Sequence, residues 1–218
     1  MPNPSKTKRA SGRAAEHVFR LDDGIEALKA GALVVYPTET FYGLGADPFS
    51  PAALERLFQA KAREPDRPVG LIASDTAMAF SLAREVPIDA RRLADAFWPG
   101  PLTIVMTARD GLAPELIGPA GVGVRVSPNP VAQALAAGLG HPITATSANL
   151  AGRPPATSLD EARKSFGTKV KVYLEGGKLM ATEPSTVVAL RGDQWQMIRV
   201  GAISSDQIAA VLAGDALK

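Results

Sequence analysis

Residues 32–45 read ALVVYPTETFYGLG, and this stretch decides the fold class. Its first five residues form a continuous apolar run of strand length, which Pro37 ends. A strand without polar alternation is typical of a sheet that is covered on both faces by other elements. The hydroxyl, aromatic and glycine residues that follow indicate a loop at the end of this strand, where the main chain can approach a ligand.

Helical and strand patterns alternate on both sides of this stretch, without a repeat or a low-complexity linker. The predicted helices span 22–30, 51–63, 76–83, 88–97, 130–137 (ending at Gly138) and 207–212. The further predicted strands span 69–73, 102–107, 122–126, 143–146, 170–174, 185–190 and 195–200. This mixture predicts an α/β (α+β) fold, in which helices pack on a twisted mixed sheet in one domain.

The length and composition narrow the class of protein. A chain of 218 residues with 46% hydrophobic and 21% charged residues forms one large domain or two small ones, and is not disordered throughout. With no cysteine and two histidines, disulfides and thiolate sites are excluded and a histidine-rich metal site is disfavoured. The absence of a long apolar run predicts a soluble, cytoplasmic protein without a membrane segment.

The charge is concentrated at the N-terminus. Residues 1–16 contain four basic residues and one acidic residue, which gives this segment a net charge of +3. Since the net charge of the whole chain is +2, the other residues together carry about −1. We predict that residues 1–16 form a basic, disordered leader and that residues 17–218 form the folded domain. Whether this leader binds RNA weakly or only solvates the chain stays open.

Several nucleotide and hydrolase motifs are missing. There is no P-loop, and Pro48 stands where a dinucleotide fingerprint beginning at Gly43 requires glycine. The zinc-protease and nucleophile-elbow patterns are also absent, and no histidine is placed to serve a serine nucleophile. An enzyme that used a nucleotide would therefore need another apparatus.

Four polar clusters remain as candidates. The first is the loop 36–45, which is either a ligand loop or an ordinary turn. The second comprises Lys61, Arg63 and Arg67, which suit phosphate or carboxylate oxygens but are also favoured near a helix C-terminus by the helix dipole. The third follows the strand 143–146 and contains Ser147 and Asn149, which suit either a ligand or a capped turn.

The fourth cluster is a pair of arginines in apolar strands. Arg125 interrupts the strand 122–126, and Arg199 interrupts the strand 195–200. Each requires a partner or a position at a solvent-facing sheet edge. Convergence of all four clusters on one place would favour a functional site.

The ordered motifs of the chain resemble the YrdC-like threonylcarbamoyl-AMP synthase family over residues 22–203. The matching segments are YPTETFYGLGAD (36–47), Lys61-x-Arg63, FWPGPLT (97–103), Val124-Arg-Val126, Ser147-Ala-Asn149, STVV (185–188) and IRVGAI (198–203). The resemblance implies a YrdC-like catalytic domain with an open, positively charged cavity. It also implies a reaction in which L-threonine, bicarbonate or CO2, and ATP give threonylcarbamoyl-AMP and pyrophosphate.

The resemblance also implies roles for individual residues. A catalytic tetrad would consist of Lys61, Arg63, Ser147 and Asn149. The ATP-binding residues would be Arg63, Arg67, Ser147 and Arg199. The L-threonine pocket would contain Thr40, Arg125 and Ser185. No metal ligand is implied in the protein, and Mg²⁺ is expected to arrive on the ATP phosphates.

The product would be passed to a tRNA threonylcarbamoyl-transferase, for N6-threonylcarbamoyladenosine in tRNAs that read codons beginning with A. Two alternatives stay open: an RNA-binding module, and a divergent paralogue that adenylates another carbamate. The chain departs from the family pattern where relatives have R-x-P-x-H, since Ser127 and Asn129 follow Arg125, and where some relatives have a histidine in place of Ile72. These departures concern the threonine side of the expected pocket.

Overall fold

The computed structural model describes residues 20–62, 68–192 and 194–214. The predicted leader 1–16 lies outside these ranges. The helices are α1 (Leu21–Lys29), α2 (Pro51–Lys61), α3 (Thr76–Phe80), α4 (Ile88–Phe97), α5 (Pro130–Leu139), α6 (Leu159–Phe166) and α7 (Ser205–Ala213). The strands are β1 (Val34–Tyr36), β2 (Gly43–Gly45), β3 (Leu71–Ala73), β4 (Leu102–Met106), β5 (Ile117–Gly118), β6 (Gly121–Val126), β7 (Ile143–Thr144), β8 (Thr146–Ser147), β9 (Val172–Tyr173), β10 (Thr186–Arg191) and β11 (Gln194–Arg199).

The strands form two mixed sheets. The larger has the order β11-β10-β4-β6-β3-β7, with β5 paired to β6, and the smaller has the order β8-β2-β1-β9. Parallel pairs (β4 with β10, β3 with β6, β1 with β9) occur beside antiparallel ones, so the predicted mixed α/β architecture is confirmed. The chain passes from the larger sheet to the smaller between β7 and β8, because the predicted strand 143–146 is divided at Ala145.

Thr144 of β7, in the larger sheet, is hydrogen-bonded to residues at β2, in the smaller sheet. Its hydroxyl donates to the carbonyl of Leu44 at 3.1 Å and accepts from the amide of Ala46 at 2.8 Å. The residue is fully buried, so both hydrogen bonds are shielded from water. This link fixes β8, and with it the segment that contains Ser147 and Asn149, against β2.

A separate apolar cluster covers one face of both sheets. Leu28 of α1 and Leu135 of α5 pack with Val34 of β1 and Ile72 of β3, and all four are fully buried. Removing each such side chain from water contributes about 1.5–3 kcal/mol. Ile72 is the residue that replaces the histidine of some relatives. Its burial in this cluster explains why an apolar side chain is suitable at this position.

The predicted end of α5 at Gly138 is wrong. The helix continues to Leu139, and Gly140, with φ of 84°, provides the left-handed cap. Gly138 lies where α5 approaches α1, and a Cβ there would be 2.4 Å from Cδ1 of Ile25. The first glycine therefore permits close helix packing, whereas the second ends the helix.

Strands β2 and β5 and helix α6 were missing from the sequence prediction. Residues 43–45, expected to belong to a loop, form β2, and a Cβ at Gly43 would lie 2.8 Å from Cζ of Tyr36. Helix α6 was not anticipated, although Ser158 accepts from the amide of Glu161 in the manner of an N-cap. In the part of the chain that the structure describes, no helix is long and apolar enough to cross a membrane.

The three tyrosines of the chain, Tyr36, Tyr42 and Tyr173, give a prediction for alkaline pH. Burial raises the pKa of all three, to about 12 for Tyr42 and Tyr173. An unfolded tyrosine titrates at about 10, so between about pH 10 and 12 only the unfolded chain loses phenolic protons. We therefore expect the free energy of unfolding to fall as the pH rises through this range.

A spectrophotometric titration checks this expectation. Tyrosinate absorbance should appear together with the loss of the folded circular-dichroism signal. Gradual ionisation near pH 10 (about the ordinary phenol value) in a protein that stays folded would contradict it.

Candidate functional site

The loop between β1 and β2 is a buried, internally hydrogen-bonded turn. Thr38 Oγ1 accepts from the amide of Thr40 at 3.1 Å and donates to the carbonyl of Phe41 at 2.7 Å. The hydroxyls of Thr38 and Thr40 are 3.2 Å apart, and both residues are buried. The predicted turn is therefore present, and it holds the hydroxyl of Thr40 in a fixed place beside Glu39.

Lys61, at the end of α2, connects that helix to the segment after β8. Its Nζ donates to the carbonyl of Ser147 at 2.5 Å and to the carbonyl of Asn149 at 2.9 Å. The residue is 3% exposed, which is unusual for lysine and requires that its charge be compensated. The ammonium group of Lys61 therefore binds the main-chain carbonyls of Ser147 and Asn149, two other members of the predicted tetrad, and links α2 to their segment.

The side chain of Asn149 is oriented by the following loop. Its Nδ2 donates to the carbonyls of Leu150 at 3.0 Å and Arg153 at 2.6 Å. Its Oδ1 is buried and has no hydrogen-bond partner among the described residues. A buried acceptor without a donor is costly, so this oxygen is available to a ligand donor.

Arg125 lies on β6, a central strand between β4 and β3, so the sheet-edge interpretation is wrong for this residue. Its Nη1 is 3.0 Å from Oε1 of Glu39, and the two side chains are 8% and 12% exposed. The hydroxyl of Ser127 donates to the other carboxylate oxygen of Glu39. The buried arginine is therefore paired, as the cost of burying a charge requires.

Arg199 lies on β11, the edge strand of the larger sheet, as the alternative interpretation expected. Its Nε and Nη2 donate to the carbonyl of Ser185 at 3.0 and 2.7 Å, and Nη2 also contacts Ser185 Oγ at 3.0 Å. The same hydroxyl is 3.3 Å from Thr103 Oγ1. Partial desolvation and then the charge of Arg125 lower the pKa of Arg199, so the two guanidiniums act on each other.

These contacts connect most of the predicted site residues. Glu39 joins the loop of Thr40 to Arg125. Arg199 is hydrogen-bonded to Ser185 and is close enough to Arg125 for the two charges to act on each other. On the other side, β2 pairs with β8 (Gly43 with Ser147), so the same loop leads to the segment held by Lys61. Arg63 and Arg67 lie outside the described residues.

Sequence reasoning assigned no role to Glu39, Ser127 or Thr103. A signal for Glu39 was present, since it is the one acidic residue in the apolar and hydroxyl-rich segment 32–45. Nothing in the sequence indicated that Glu39 would meet Arg125 and Ser127, because the pairing joins residues more than eighty positions apart.

The described residues offer cations, hydroxyls and one buried amide oxygen that has no partner among them. Such groups bind and orient carboxylates and phosphates, and they stabilise negative charge that develops in a transition state. Within the described ranges, no group of three or more His, Cys, Asp or Glu residues could hold a metal ion.

Comparison with known proteins agrees with this chemistry. A sequence profile of the Sua5_yciO_yrdC family, described as telomere recombination, matches residues 26–201. A threonylcarbamoyl-AMP synthase of Chromohalobacter salexigens is 39% identical over 181 residues, which cover 82% of this chain and 97% of that protein. The threonylcarbamoyl-AMP synthase of Pyrococcus abyssi is 35% identical over 202 residues, and the match covers 92% of this chain and 58% of that longer protein.

Two solved structures have a fold similar to that of this chain. Sua5 of P. abyssi in complex with L-threonine superposes with a TM-score of 0.83 at 33% identity, covering 88% of this chain and 56% of Sua5. E. coli YciO superposes with a TM-score of 0.77 at 26% identity, covering 86% of this chain and 92% of YciO. With the profile match over most of its length, the chain belongs to the Sua5/YciO/YrdC family.

Proposed function

We propose that this protein is an L-threonylcarbamoyladenylate synthase, a nucleotidyltransferase that forms threonylcarbamoyl-AMP and pyrophosphate from L-threonine, bicarbonate or CO2, and ATP. The observation that carries the proposal is the identity of 33–39% with proteins named threonylcarbamoyl-AMP synthase over most of the chain. The likeness to a Sua5 structure with L-threonine supports the amino-acid substrate.

The buried polar groups suit the two substrates. We assign Arg125 and the hydroxyls of Thr40 and Ser185 to L-threonine, because a guanidinium pairs with a carboxylate and hydroxyls are suitable partners for the neutral polar groups of an amino acid. We assign the binding of ATP to Ser147 and Arg199. The same assignment includes Arg63 and Arg67, which lie outside the described residues. Lys61 and Asn149 complete the assignment. Lys61 holds the segment after β8, and Asn149 presents an Oδ1 that has no hydrogen-bond partner among the described residues.

The reaction requires positioning more than a protein nucleophile. The uncharged amine of threonine adds to CO2 and releases a proton, and the resulting carbamate is already an anion. A carbamate oxygen then forms a bond to the α-phosphorus of ATP, and the bond to pyrophosphate breaks. Arginine side chains lower the repulsion between the two anions and stabilise the charge on the leaving group.

Mg²⁺ is proposed to enter with ATP. The Glu39 carboxylate is engaged by Arg125 and Ser127, so the described site residues offer hydroxyls and amides to a metal–nucleotide complex rather than a carboxylate cage. Mg²⁺ commonly keeps several waters and binds through substrate phosphates, where it offsets phosphate charge. We further propose that the product passes to a tRNA threonylcarbamoyl-transferase for modification of adenosine.

An omission assay tests the function. The purified protein is incubated with ATP, Mg²⁺, bicarbonate and L-threonine, and parallel reactions each lack one component. Mass spectrometry should find threonylcarbamoyl-AMP only in the complete reaction. Turnover with another amine in place of threonine would indicate the divergent paralogue, and salt-dependent RNA binding without ATP turnover would indicate the RNA-binding module.

Replacing Arg63 with alanine tests the assigned ATP contacts. We expect adenylate formation to fall at least about 100-fold, as for loss of a transition-state contact, while the thermal unfolding midpoint stays unchanged. The variant Lys29→Ala, which removes a cation from an exposed helix pair, is the control. An Arg63→Ala protein with the activity of the unmodified protein would refute the role.

A further inference from the structure

Glu39 is held from two sides by residues of a single segment. One carboxylate oxygen lies 3.0 Å from Nη1 of Arg125, and the other accepts a hydrogen bond from the hydroxyl of Ser127. Ser127 is fully buried, and the charged pair is largely buried. Oε2 is hydrogen-bonded, whereas Oε1 is held by the ion pair and has no hydrogen-bond partner among the described residues. The buried carboxylate and guanidinium restrict each other through their opposite charges.

Ser127 is itself anchored at the start of α5. Its hydroxyl accepts from the amide of Asn129 at 3.2 Å, and its carbonyl accepts from Nε2 of Gln133 at 2.8 Å. The side chain of Asn129 caps the helix by accepting from the amide of Val131 at 3.0 Å. The two positions at which this chain departs from the R-x-P-x-H pattern therefore belong to one network that ends on Glu39.

We propose that Glu39 is a positioning residue that aims the guanidinium of Arg125 at the carboxylate of the amino-acid substrate, and that Ser127 fixes Glu39 for this purpose. The inference rests on the proposed function, because it takes Arg125 as the contact for L-threonine. Neither Glu39 nor Ser127 needs to touch the substrate for this role.

The unsatisfied donor of Arg125 supports the assignment. Nη1 lies 3.0 Å from Oε1 of Glu39 as an ion pair, whereas Nε is buried without a hydrogen-bond partner among the described residues. A buried donor without a partner is costly, and a substrate carboxylate would supply one. Arg125 thus keeps donor capacity for an anion while one end of its guanidinium is clamped.

The charges at the site support it as well. Arg125 and Arg199 act on each other unfavourably, because the charge of Arg125 contributes to the lowered pKa of Arg199. Glu39 supplies the negative charge that allows Arg125 to remain in place beside a second cation. Without this carboxylate, we expect Arg125 to turn away from Arg199 and from the substrate.

Steady-state kinetics of Glu39→Gln and Ser127→Ala test the proposal. We expect the KM for L-threonine to rise about 20-fold or more in Glu39→Gln and about 3-fold to 10-fold in Ser127→Ala, with the KM for ATP within about twofold of normal. Asp110→Asn is the matched control, since it removes a carboxylate from an exposed ion pair with Arg84. This control should change neither KM.

A measurement without substrates separates the inference from the proposed function. In 15N NMR spectra, the guanidinium protons of Arg125, assigned with an Arg125→Lys sample, should exchange slowly in the unmodified protein and rapidly in Glu39→Gln. If the unmodified protein makes no threonylcarbamoyl-AMP, the proposed function is wrong, and the NMR result still decides whether Glu39 holds Arg125.

Three outcomes would overturn the inference while leaving the proposed function intact. They are an unchanged KM for L-threonine in Glu39→Gln, an equal rise in both KM values with a lowered unfolding midpoint, and unchanged guanidinium exchange. If Glu39→Gln does not fold, Ser127→Ala, which removes two hydrogen bonds and no charge, decides by the same readouts.

Discussion

Replacing Arg125 with methionine is expected to lower the free energy of unfolding by about 3–5 kcal/mol, because the substitution leaves the buried Glu39 carboxylate without its counter-charge. The same change should remove threonine-dependent product formation, since the proposed carboxylate contact is lost. Chemical denaturation, read by circular dichroism, measures the first effect, and the threonine-dependent assay measures the second.

The matched control for this variant is Arg84→Met. Arg84 forms an ion pair with Asp110 at 2.7 Å, but the two side chains are 62% and 92% exposed. Exposed pairs of this kind contribute about 0–1 kcal/mol, so the control should remain close to the unmodified protein. Equal losses of stability in the two variants would show that burial of the Glu39–Arg125 pair has no special cost.

Replacing Lys61 with methionine should lower the free energy of unfolding by about 2–4 kcal/mol, because the carbonyls of Ser147 and Asn149 lose a charged donor. Methionine preserves most of the apolar stem, so packing of the chain carbon atoms is largely retained. We also expect product formation to fall about 100-fold, the typical effect of displacing site groups by about 1 Å.

Lys29→Met is the control for Lys61. Lys29 is also in the last turn of its helix, and its side chain is half exposed and pairs with Glu26 three residues earlier. If Lys61 stabilised the protein mainly through its interaction with the helix dipole, each of the two substitutions would lower the free energy of unfolding by only about 0.3–1 kcal/mol. Similar small losses in both variants would therefore refute the bridging role of Lys61.

Local patterns were sufficient for most of the secondary structure. The predicted start of α2 at residue 51 is confirmed, and Ser50 caps this helix by accepting from the amide of Ala53, because caps act over a few residues. Neighbouring residues alone did not indicate which of the two glycines, Gly138 or Gly140, ends α5. The choice depended on the contact of α5 with Ile25, which is distant in the sequence.

The candidate site was predictable as residue types but not as contacts. Apolar strands with Arg125 and Arg199 indicated that these cations needed partners, yet the partners come from other elements. Lys61 was expected either to bind phosphate or carboxylate oxygens or to be favoured at a helix C-terminus by the helix dipole, and the structure shows it bonded to main-chain carbonyls. Such pairings depend on the sheet order and on the link through Thr144, neither of which has a local signature.

The most direct test of the central claim uses isotope-labelled bicarbonate. The protein is incubated with 13C-bicarbonate, L-threonine, ATP and Mg²⁺, and the nucleotide products are analysed by mass spectrometry. The proposed function predicts threonylcarbamoyl-AMP that contains the label, together with an equal amount of pyrophosphate. Pyrophosphate release without labelled product, or no consumption of ATP under conditions in which the protein is folded, would contradict it.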